Sequence, residues 1–247
     1  MEVLRYMRKR LEREKLHMTL IDPEKQPPED AEDIARAMEE MGTDAIMVGG
    51  STGVTQQNLD NTVKGIKRAT SVPLILFPAG AHTISPHADA IYFMSMLNSR
   101  TTRLLVGEQV EAAKVVKDLG LETISMGYVI VEPGMRVGEV GHADPIPRNN
   151  PQLAMKFGLA AEFLGMDLFY LEAGSGAPAP VPTDMVRAVK KEISIPLVVG
   201  GGIRDGERAR ELVGAGADIL VTGTAVERTR NLTSLKGILD AIKRGNR

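Results

Sequence analysis

Residues 197–228 read LVVGGGIRDGERARELVGAGADILVTGTAVER, and this stretch decides the fold. Two runs of aliphatic residues, 197–199 and 219–222, each end in a glycine-bearing turn, and a segment with helical spacing lies between them. Continuous apolar runs of this length are typical of parallel strands that are buried on both faces. The stretch therefore predicts two consecutive strand–helix units with glycines at the carboxyl ends of both strands.

The same alternation recurs along the whole chain of 247 residues. Strands are predicted at 16–21, 45–48, 74–77, 90–94, 123–126 with a possible extension to 131, 168–172, 197–199 and 219–222. Barrels of eight such units commonly form one domain of about 250 residues. The sequence thus predicts an α/β fold, a (β/α)₈ TIM barrel, as a single domain over 1–247 with a short charged N-terminal helix.

Composition narrows the class of protein. Hydrophobic residues make up 43% and charged residues 25% of the chain, which is typical of a globular protein and excludes a disordered or fibrous one. Acidic and basic residues are interspersed along the chain and give a net charge of −2, so we expect no nucleic-acid partner. The absence of cysteine excludes disulfides, thiolate nucleophiles and cysteine-ligated zinc.

The charged start of the chain lacks the apolar stretch of a signal peptide, and no segment approaches the roughly 20 apolar residues that span a bilayer. We therefore expect a cytoplasmic protein without a transmembrane segment, for which transient contact with a membrane stays open.

Glycines at the ends of the seventh and eighth strands indicate a phosphate site. Gly200, Gly201 and Gly202 let backbone N–H groups approach an anion closely. Gly223 and Thr224 precede a predicted short helix, whose N-terminal amides favour a phosphate. TIM barrels often bind phosphate at this place. The alternative is that these glycines only permit tight turns.

Two polar side chains at the end of the sixth strand suggest substrate handling. Tyr170 and Glu172 are two residues apart, so both would point to the same face, directly before a Gly-Ser-Gly loop. The carboxylate could accept a substrate hydroxyl hydrogen and the phenol could donate to the same ligand. A structural ion pair of Glu172 is the alternative.

Oxygen ligands at the ends of the first two strands suggest magnesium. Asp22 and Ser51 would lie at the mouth on neighbouring strands. Mg²⁺ usually binds one or two carboxylates and completes its shell with water and phosphate oxygens. The alternative for Asp22 is a cap of the turn before Pro23.

Other polar residues give weaker indications. The histidines have no zinc-type spacing, so we interpret them as structural or loop residues: His17, His82, His87 and His142. Four polar residues after the fourth strand could meet a second anion or be solvated loop groups: Asn98, Ser99, Arg100 and Arg103.

Six segments together resemble the geranylgeranylglyceryl phosphate synthase family and its bacterial relatives, the heptaprenylglyceryl phosphate synthases. They are TLIDPEK, VGGSTGVT, FPAGAHTISPHADAIYFMSMLNS, GYVIVEPG, YLEAGSG and VVGGGIR, and they cover nearly the whole chain. GGGIR alone occurs in many phosphate-binding barrels. MSMLNS after the fourth strand combined with YLEAGSG after the sixth is far more specific.

The resemblance implies a prenyltransferase that joins the primary hydroxyl of sn-glycerol 1-phosphate to a prenyl diphosphate and releases diphosphate. This is an early step of archaeal membrane phospholipid synthesis. Carried onto this sequence, it implies that Glu172 acts on the attacking hydroxyl and that Asp22 and Ser51 hold Mg²⁺. It implies these glycerol-phosphate contacts: Tyr170, Leu171, Glu172, Ala173, Gly174, Ser175, Gly176, Gly201, Gly202, Gly223 and Thr224.

One position departs from the family pattern. Some members have a lysine two residues before the aspartate of the first strand, and it helps to bind glycerol phosphate. This chain has Leu20 there, and Lys25 in the same loop is our candidate for that role. The departure indicates the second of the family's two sequence groups, whose members form homo-oligomers.

The resemblance does not determine the length of the prenyl donor. We favour the twenty-carbon geranylgeranyl donor over a longer one, and the candidates for its apolar trough are Tyr92, Met94, Met96, Tyr128, Val129 and Ile130. A phosphosugar isomerase or aldolase barrel and a non-catalytic phosphate sensor are the alternatives from other classes.

Overall fold

A closed barrel of parallel strands forms the centre of the protein, whose computed structural model describes residues 2–50, 52–223 and 232–244. Each strand pairs in parallel with the next in sequence, and the last pairs with the first. The strands are β1 Leu16–Ile21, β2 Ala45–Val48, β3 Leu74–Leu76, β4 Ala90–Met96, β5 Glu122–Ile130, β6 Leu168–Glu172, β7 Leu197–Gly200 and β8 Ile219–Thr222. The predicted TIM barrel is confirmed.

Helices follow the strands and cover the outside of the barrel. In the described chain they are α1 Val3–Leu11, α2 Pro28–Glu40, α3 Gln56–Ala69, α4 Glu108–Leu119, α5 Met135–Val140, α6 Pro151–Phe163, α7 Thr183–Glu192, α8 Gly206–Gly214 and α9 Leu232–Arg244. A π-helical turn, Arg103–Gly107, leads directly into α4. None of the described helices is long and apolar enough to cross a membrane.

Alternation along the strands separates two layers of packing. On β6, Leu168 and Tyr170 point into the barrel, while Phe169 and Leu171 pack outward against the helices. Both faces of this strand are buried, which explains why its sequence is apolar without alternation. The same division holds around the barrel, so a strand's last inward residue faces the mouth.

β4 is longer than the sequence predicted, and β5 takes nearly the full extension that the sequence left open. β4 continues to Met96, and β5 begins at Glu122 and continues to Ile130, because the two strands pair over seven residues, from Ala90 with Glu122 to Met96 with Tyr128. The polar Ser95 is accommodated because its hydroxyl donates to the Leu105 carbonyl at 2.6 Å. Pairing between strands thus overrides the local sequence signal.

The N-terminal helix closes the bottom of the barrel. The backbone N–H groups of Val3 and Leu4 donate to the Glu122 carboxylate at 2.5 and 2.8 Å, which satisfies amides that have no partner within the helix. Asp44 accepts ion pairs from Arg10 at 2.6 Å and from Lys243 at 2.6 Å. These contacts join α1 and α9 to the same edge of the sheet, far from the mouth.

Thr62 provides a test of packing in α3. Its side chain is fully buried, and its hydroxyl has no hydrogen-bond partner within the described part of the chain. Because a buried hydroxyl without a partner is destabilising, we expect Thr62→Val to raise the free energy of unfolding by about 1 kcal/mol. Urea denaturation measures this change.

Thr19→Val is the matched control for this measurement, because the equally buried Thr19 hydroxyl donates to Thr43 Oγ1 at 3.1 Å. Its loss should lower the free energy of unfolding by about 1 kcal/mol. Equal effects of the two substitutions would contradict our interpretation of Thr62.

Candidate active site

A cavity of about 570 Å³ opens at the carboxyl ends of the strands. Residues from the ends of β1, β2, β6, β7 and β8 line one part of it, and residues from β3, β4 and the π-helical turn line another. Loops at this face carry the active sites of TIM barrels. The cavity therefore lies at the loops where the sequence predicted the functional residues.

Tyr170 and Glu172 both line the cavity and share the inward face of β6, as their spacing predicted. Glu172 Oε1 accepts a hydrogen bond from the Gly174 backbone N–H at 2.6 Å, and the Tyr170 hydroxyl donates to the same carboxylate. Glu172 is 7% exposed. No cation is paired with it in the described structure, so the alternative of a structural ion pair is not realised.

Burial dominates the protonation of both groups. Desolvation raises the pKa of Glu172, although the hydrogen bonds from Tyr170 and Gly174 oppose it. Burial, and then the neighbouring Glu172 charge, hold the pKa of Tyr170 well above its usual range. The carboxylate is therefore a better proton acceptor than an exposed glutamate, while the phenol stays a hydrogen-bond donor.

The glycines after β7 form a tight wall beside Glu172. Gly201 has a φ of +83°, and a Cβ atom there would lie 2.5 Å from Glu172 Oε1 and 2.6 Å from the Gly174 nitrogen. Gly201 and Gly202 line the cavity. The close approach of the β6 and β7 loops requires glycine at Gly201, and it exposes backbone at the position predicted for phosphate.

The end of β8 completes this side of the cavity. Thr222 and Gly223 line it directly beside β1. Thr224, the second predicted residue of this turn, lies outside the described residues. The glycine turns after β7 and β8 thus face the same space, which fits an anion site built from backbone N–H groups.

The β6 loop contributes to the cavity in part. Ser175 and Gly176 line it, whereas the side chains of Leu171 and Ala173 are buried in the core between barrel and helices. Gly174 faces Glu172 through its backbone N–H. For Leu171 and Ala173, a ligand at the mouth could meet backbone atoms only.

Asp22 lies in the cavity wall at the end of β1. Its Oδ2 is 3.3 Å from Lys25 Nζ, and its Oδ1 accepts from the Glu24 backbone N–H at 3.1 Å. A Cβ atom at Gly50 would lie 2.3 Å from Asp22 Oδ1, so the carboxylate is close to the backbone that precedes Ser51. Ser51 itself lies outside the described residues.

The donor set at Asp22 fits a sparse magnesium site. Within the described ranges, no group of three or more histidine, cysteine and acidic side chains forms a protein-only metal centre. Mg²⁺ needs no such group, since a carboxylate together with water and phosphate oxygens satisfies it. The Glu24 hydrogen bond also gives Asp22 the turn-capping role that was the alternative, and one carboxylate has enough lone pairs for both.

The rest of the cavity is an apolar arm. Four of the predicted trough residues line the cavity, namely Tyr92, Met94, Met96 and Tyr128, whereas Val129 and Ile130 do not. The sequence did not identify these further lining residues: Phe77, Ile84, Ile91, Phe93, Leu104, Ala112, Val137 and Val140. Residues from both faces of β4 take part, so the arm passes from the barrel mouth toward α4.

Four aromatic rings, from the residue after β3 and from β4, β5 and β6, pack together in the cavity lining. The Phe77 ring lies 5.5 Å from that of Tyr128 and 6.1 Å from those of Tyr92 and Tyr170. Tyr128 meets Tyr170 edge-on at 5.0 Å. Neither the aromatic content nor the strand pattern could have revealed this convergence from the sequence.

The polar residues after β4 serve the structure instead of the cavity. Asn98 donates to the Ile130 and Asp144 carbonyls, both at 2.8 Å, and Ser99 donates to the Gly141 carbonyl at 2.8 Å. Arg103 pairs with Glu108, a residue of the cavity wall. Asn98, Ser99 and Arg103, together with Arg100, lie outside the cavity lining.

Arg204 is a cavity residue that the sequence reasoning missed. Its guanidinium donates to the carbonyls of Gly176 and Ala177 at 3.1 and 3.0 Å and thereby joins the β6 and β7 loops. Its position two residues after the glycine triplet is the signal that could have found it. With Lys25, it supplies positive charge at the cavity wall.

The fold and the site define a (β/α)₈ barrel with a glycine-walled polar pocket that continues into an apolar arm. The chain belongs to the PcrB family, whose model matches residues 9–245. It is 53% identical to the geranylgeranylglyceryl phosphate synthase of Pyrococcus horikoshii over 99% of this chain and 96% of that protein. The synthase of Methanothermobacter thermautotrophicus is 51% identical, with 94% of each chain covered.

A solved structure gives the same result. The (S)-3-O-geranylgeranylglyceryl phosphate synthase of Thermoplasma acidophilum, in complex with its substrate sn-glycerol-1-phosphate, superposes with a TM-score of 0.96 at 46% identity. The comparison covers 98% of this chain and 99% of that one. The family resemblance seen in the sequence is therefore confirmed.

Substitution of Gly201 tests the glycine wall. Gly201→Ala would force a Cβ atom against Glu172 and strain a backbone with positive φ, so we expect the affinity for inorganic phosphate to fall about tenfold. Calorimetric titration measures it. Gly214→Ala is the control, because a Cβ there meets nothing within 4 Å, and it should bind as the wild type does. Unchanged phosphate affinity of Gly201→Ala would contradict the role of Gly201 in the phosphate site.

Proposed function

We propose that this chain is a geranylgeranylglyceryl phosphate synthase, a prenyltransferase of membrane phospholipid biosynthesis of the archaeal type. The primary hydroxyl oxygen of sn-glycerol 1-phosphate attacks the first carbon of geranylgeranyl diphosphate. A carbon–oxygen ether bond forms, the bond to diphosphate breaks, and diphosphate leaves with the bonding electrons. The hydroxyl proton passes to Glu172.

The observation that carries this proposal is the continuity of the cavity. Its polar part has backbone of Gly201, Gly202 and Gly223 around Glu172, and its apolar arm begins at the aromatic rings beside Tyr170. A phosphorylated alcohol fits the first part and a hydrocarbon chain fits the second. The Glu172 carboxylate lines the same cavity, in which a hydroxyl and an allylic carbon would meet.

Glu172 is suited to its role by position and protonation. Its hydrogen bonds from Tyr170 and the Gly174 backbone fix the carboxylate toward the cavity. Desolvation raises its pKa, which strengthens it as a base. Tyr170 contributes by holding the carboxylate. The rings of Phe77 and Tyr128, which pack against Tyr170, exclude water.

Asp22 and Ser51 are the residues that would hold Mg²⁺ next to the departing diphosphate. When bound there, the ion would neutralise negative charge that develops on the leaving group. Lys25, beside Asp22 in the same wall, would add a cation in place of the lysine that some relatives have at the position of Leu20. The glycine turns after β7 and β8 would hold the glycerol phosphate.

The donor length is the finer part of the proposal. The relatives with about half of their residues identical to this chain are geranylgeranylglyceryl phosphate synthases, which favours the twenty-carbon donor over a longer prenyl chain. The homo-oligomeric state, the cytoplasmic location and transient contact with membranes stay predictions from the sequence.

A product assay tests the function directly. Purified protein is incubated with radiolabelled sn-glycerol 1-phosphate, Mg²⁺ and prenyl diphosphates of ten to thirty-five carbons, and the lipid is then extracted. We expect label in the organic phase, with the twenty-carbon donor preferred. A preference for the longest donor would assign the longer-chain activity, and extraction of no label with any donor would refute the synthase.

The pH dependence of kcat/KM tests Glu172. The base must be ionised, so activity should fall as the pH drops through the raised pKa of Glu172, which gives an acid limb above the ordinary value of 4.5. Glu172→Gln should lower kcat by about 10² to 10⁴-fold and remove this limb. An acid limb that persists in Glu172→Gln would exclude Glu172 as the base.

Tyr170→Phe provides a control with a defined direction. Because the Tyr170 hydrogen bond lowers the pKa of Glu172, its removal should raise that pKa further and move the acid limb to higher pH. A shift to lower pH would contradict the assigned hydrogen bond.

Lys25→Ala tests the replacement for the missing lysine. Loss of a charged donor at the phosphate should raise the KM for sn-glycerol 1-phosphate about tenfold. Lys64→Ala, on the exposed side of α3, is the matched control and should leave this KM unchanged. An unchanged KM in Lys25→Ala would reject its role as the phosphate cation.

A further inference from the structure

A chain of buried polar side chains runs along the outside of the barrel wall where β1 meets β8. It consists of Thr19, Thr43, His17 and Thr222, which we call the seam relay. Each of these side chains is less than 5% exposed, with values of 0%, 4%, 0% and 3%. Buried polar groups in an otherwise apolar layer are costly unless all are hydrogen-bonded.

The relay is continuous. Thr19 Oγ1 donates to Thr43 Oγ1 at 3.1 Å, and Thr43 Oγ1 lies 2.9 Å from His17 Nδ1. His17 Nε2 lies 2.9 Å from Thr222 Oγ1. The imidazole thus bridges the loop before β2, at the bottom of the barrel, to the last residue of β8, at its mouth.

One assignment of donors and acceptors satisfies every group of the relay. The Thr43 hydroxyl has carbonyl acceptors at 3.2 Å on His17 and 3.3 Å on Ala45, and it already accepts from Thr19. With its own hydrogen on a carbonyl, Thr43 Oγ1 can still accept from His17 Nδ1–H. In this assignment His17 Nε2 is the acceptor, and Thr222 donates to it at 2.9 Å.

The imidazole keeps this arrangement because it stays neutral. Burial, and then the positive charge of Lys243, lower the pKa of His17 to about 3. An imidazolium would also need Thr222 to accept instead of donate, since both ring nitrogens would carry hydrogens. Near neutral pH, the tautomer with its hydrogen on Nδ1 holds the Thr222 hydroxyl in one direction.

Thr222 connects the relay to the cavity. It is the last residue of β8, lies beside Thr19 in the pairing of β1 with β8, and lines the cavity together with Gly223. Glycine has no side chain to fix its conformation, so the position of Gly223 depends on its neighbours. Thr222 is the neighbour on the strand side, and its side chain is held by His17.

We propose that His17 is a positioning residue for the phosphate end of the substrate site: through Thr222 it fixes the backbone at Gly223 that meets the phosphate. This inference rests on the proposed function. It gives the fully buried histidine, which the sequence indicated only as structural, a specific effect on the affinity for sn-glycerol 1-phosphate. His17 contacts no substrate, and the apolar arm lies apart from the relay.

Substitutions of Thr43 test the relay at its far end. Thr43→Val keeps the shape but removes the hydroxyl that fixes the tautomer of His17, so the Kd for sn-glycerol 1-phosphate should rise about three- to tenfold. Thr43→Ser keeps the hydroxyl and should restore wild-type affinity. The KM for the prenyl diphosphate should stay within about twofold of the wild type in both variants.

Thr62→Val controls for the loss of any buried threonine hydroxyl, because Thr62 lies in α3, away from the relay, and it should bind as the wild type does. Titration calorimetry without donor measures each Kd. If the wild type binds sn-glycerol 1-phosphate and Thr43→Val binds it with equal affinity, the role of the relay is overturned alone. If the wild type does not bind sn-glycerol 1-phosphate, the proposed function is overturned as well.

The tautomer gives a second readout that does not depend on the variants folding. Nitrogen-15 chemical shifts of histidine-labelled wild-type protein should show His17 protonated at Nδ1 and unprotonated at Nε2. Protonation at Nε2 would reverse the relay and overturn the inference, because Thr222 would then be free to turn its hydrogen away from the imidazole.

Discussion

Closure of the barrel between β1 and β8 is the constraint on which the site depends. Parallel pairing places all carboxyl ends at one edge, and closure turns that edge into a ring, so loops distant in sequence face one another. Asp22 and Glu172 are 150 positions apart in the sequence, yet they line the same cavity. An open sheet would not bring the β1 loop to the turn after β8.

The ring of strand ends also creates the electrostatics of the site. Phe77 and the tyrosines of β4, β5 and β6 pack edge against face and shield the cavity floor from water. Desolvation by burial is the main reason why the pKa of Glu172 is raised. The same layer begins the apolar arm, so one packing arrangement would serve both of the proposed roles, proton transfer and recognition of a hydrocarbon.

In the proposed function, phosphate recognition would rely on backbone more than on charge. The glycine turns at Gly201 and Gly223 face the cavity, and Lys25 and Arg204 are the basic residues of its described lining. Arg204 is engaged with loop carbonyls, which makes it a support for the β6 loop. Backbone donors are effective only when they are held in place. The hydrogen bonds between the β6 and β7 loops and the buried hydrogen bonds near β8 are suited to hold them.

The sequence by itself determined the strand count, the barrel, the glycine turns and the shared face of Tyr170 and Glu172, because local periodicity and turn chemistry encode them. It also carried motifs specific enough to reveal the family. Tertiary structure alone decided the course of the apolar arm, the outward packing of Leu171 and Ala173, and the link from His17 to Thr222. These features depend on which side chains meet across strands and helices. The periodicity of residues along the chain does not encode such contacts between distant segments.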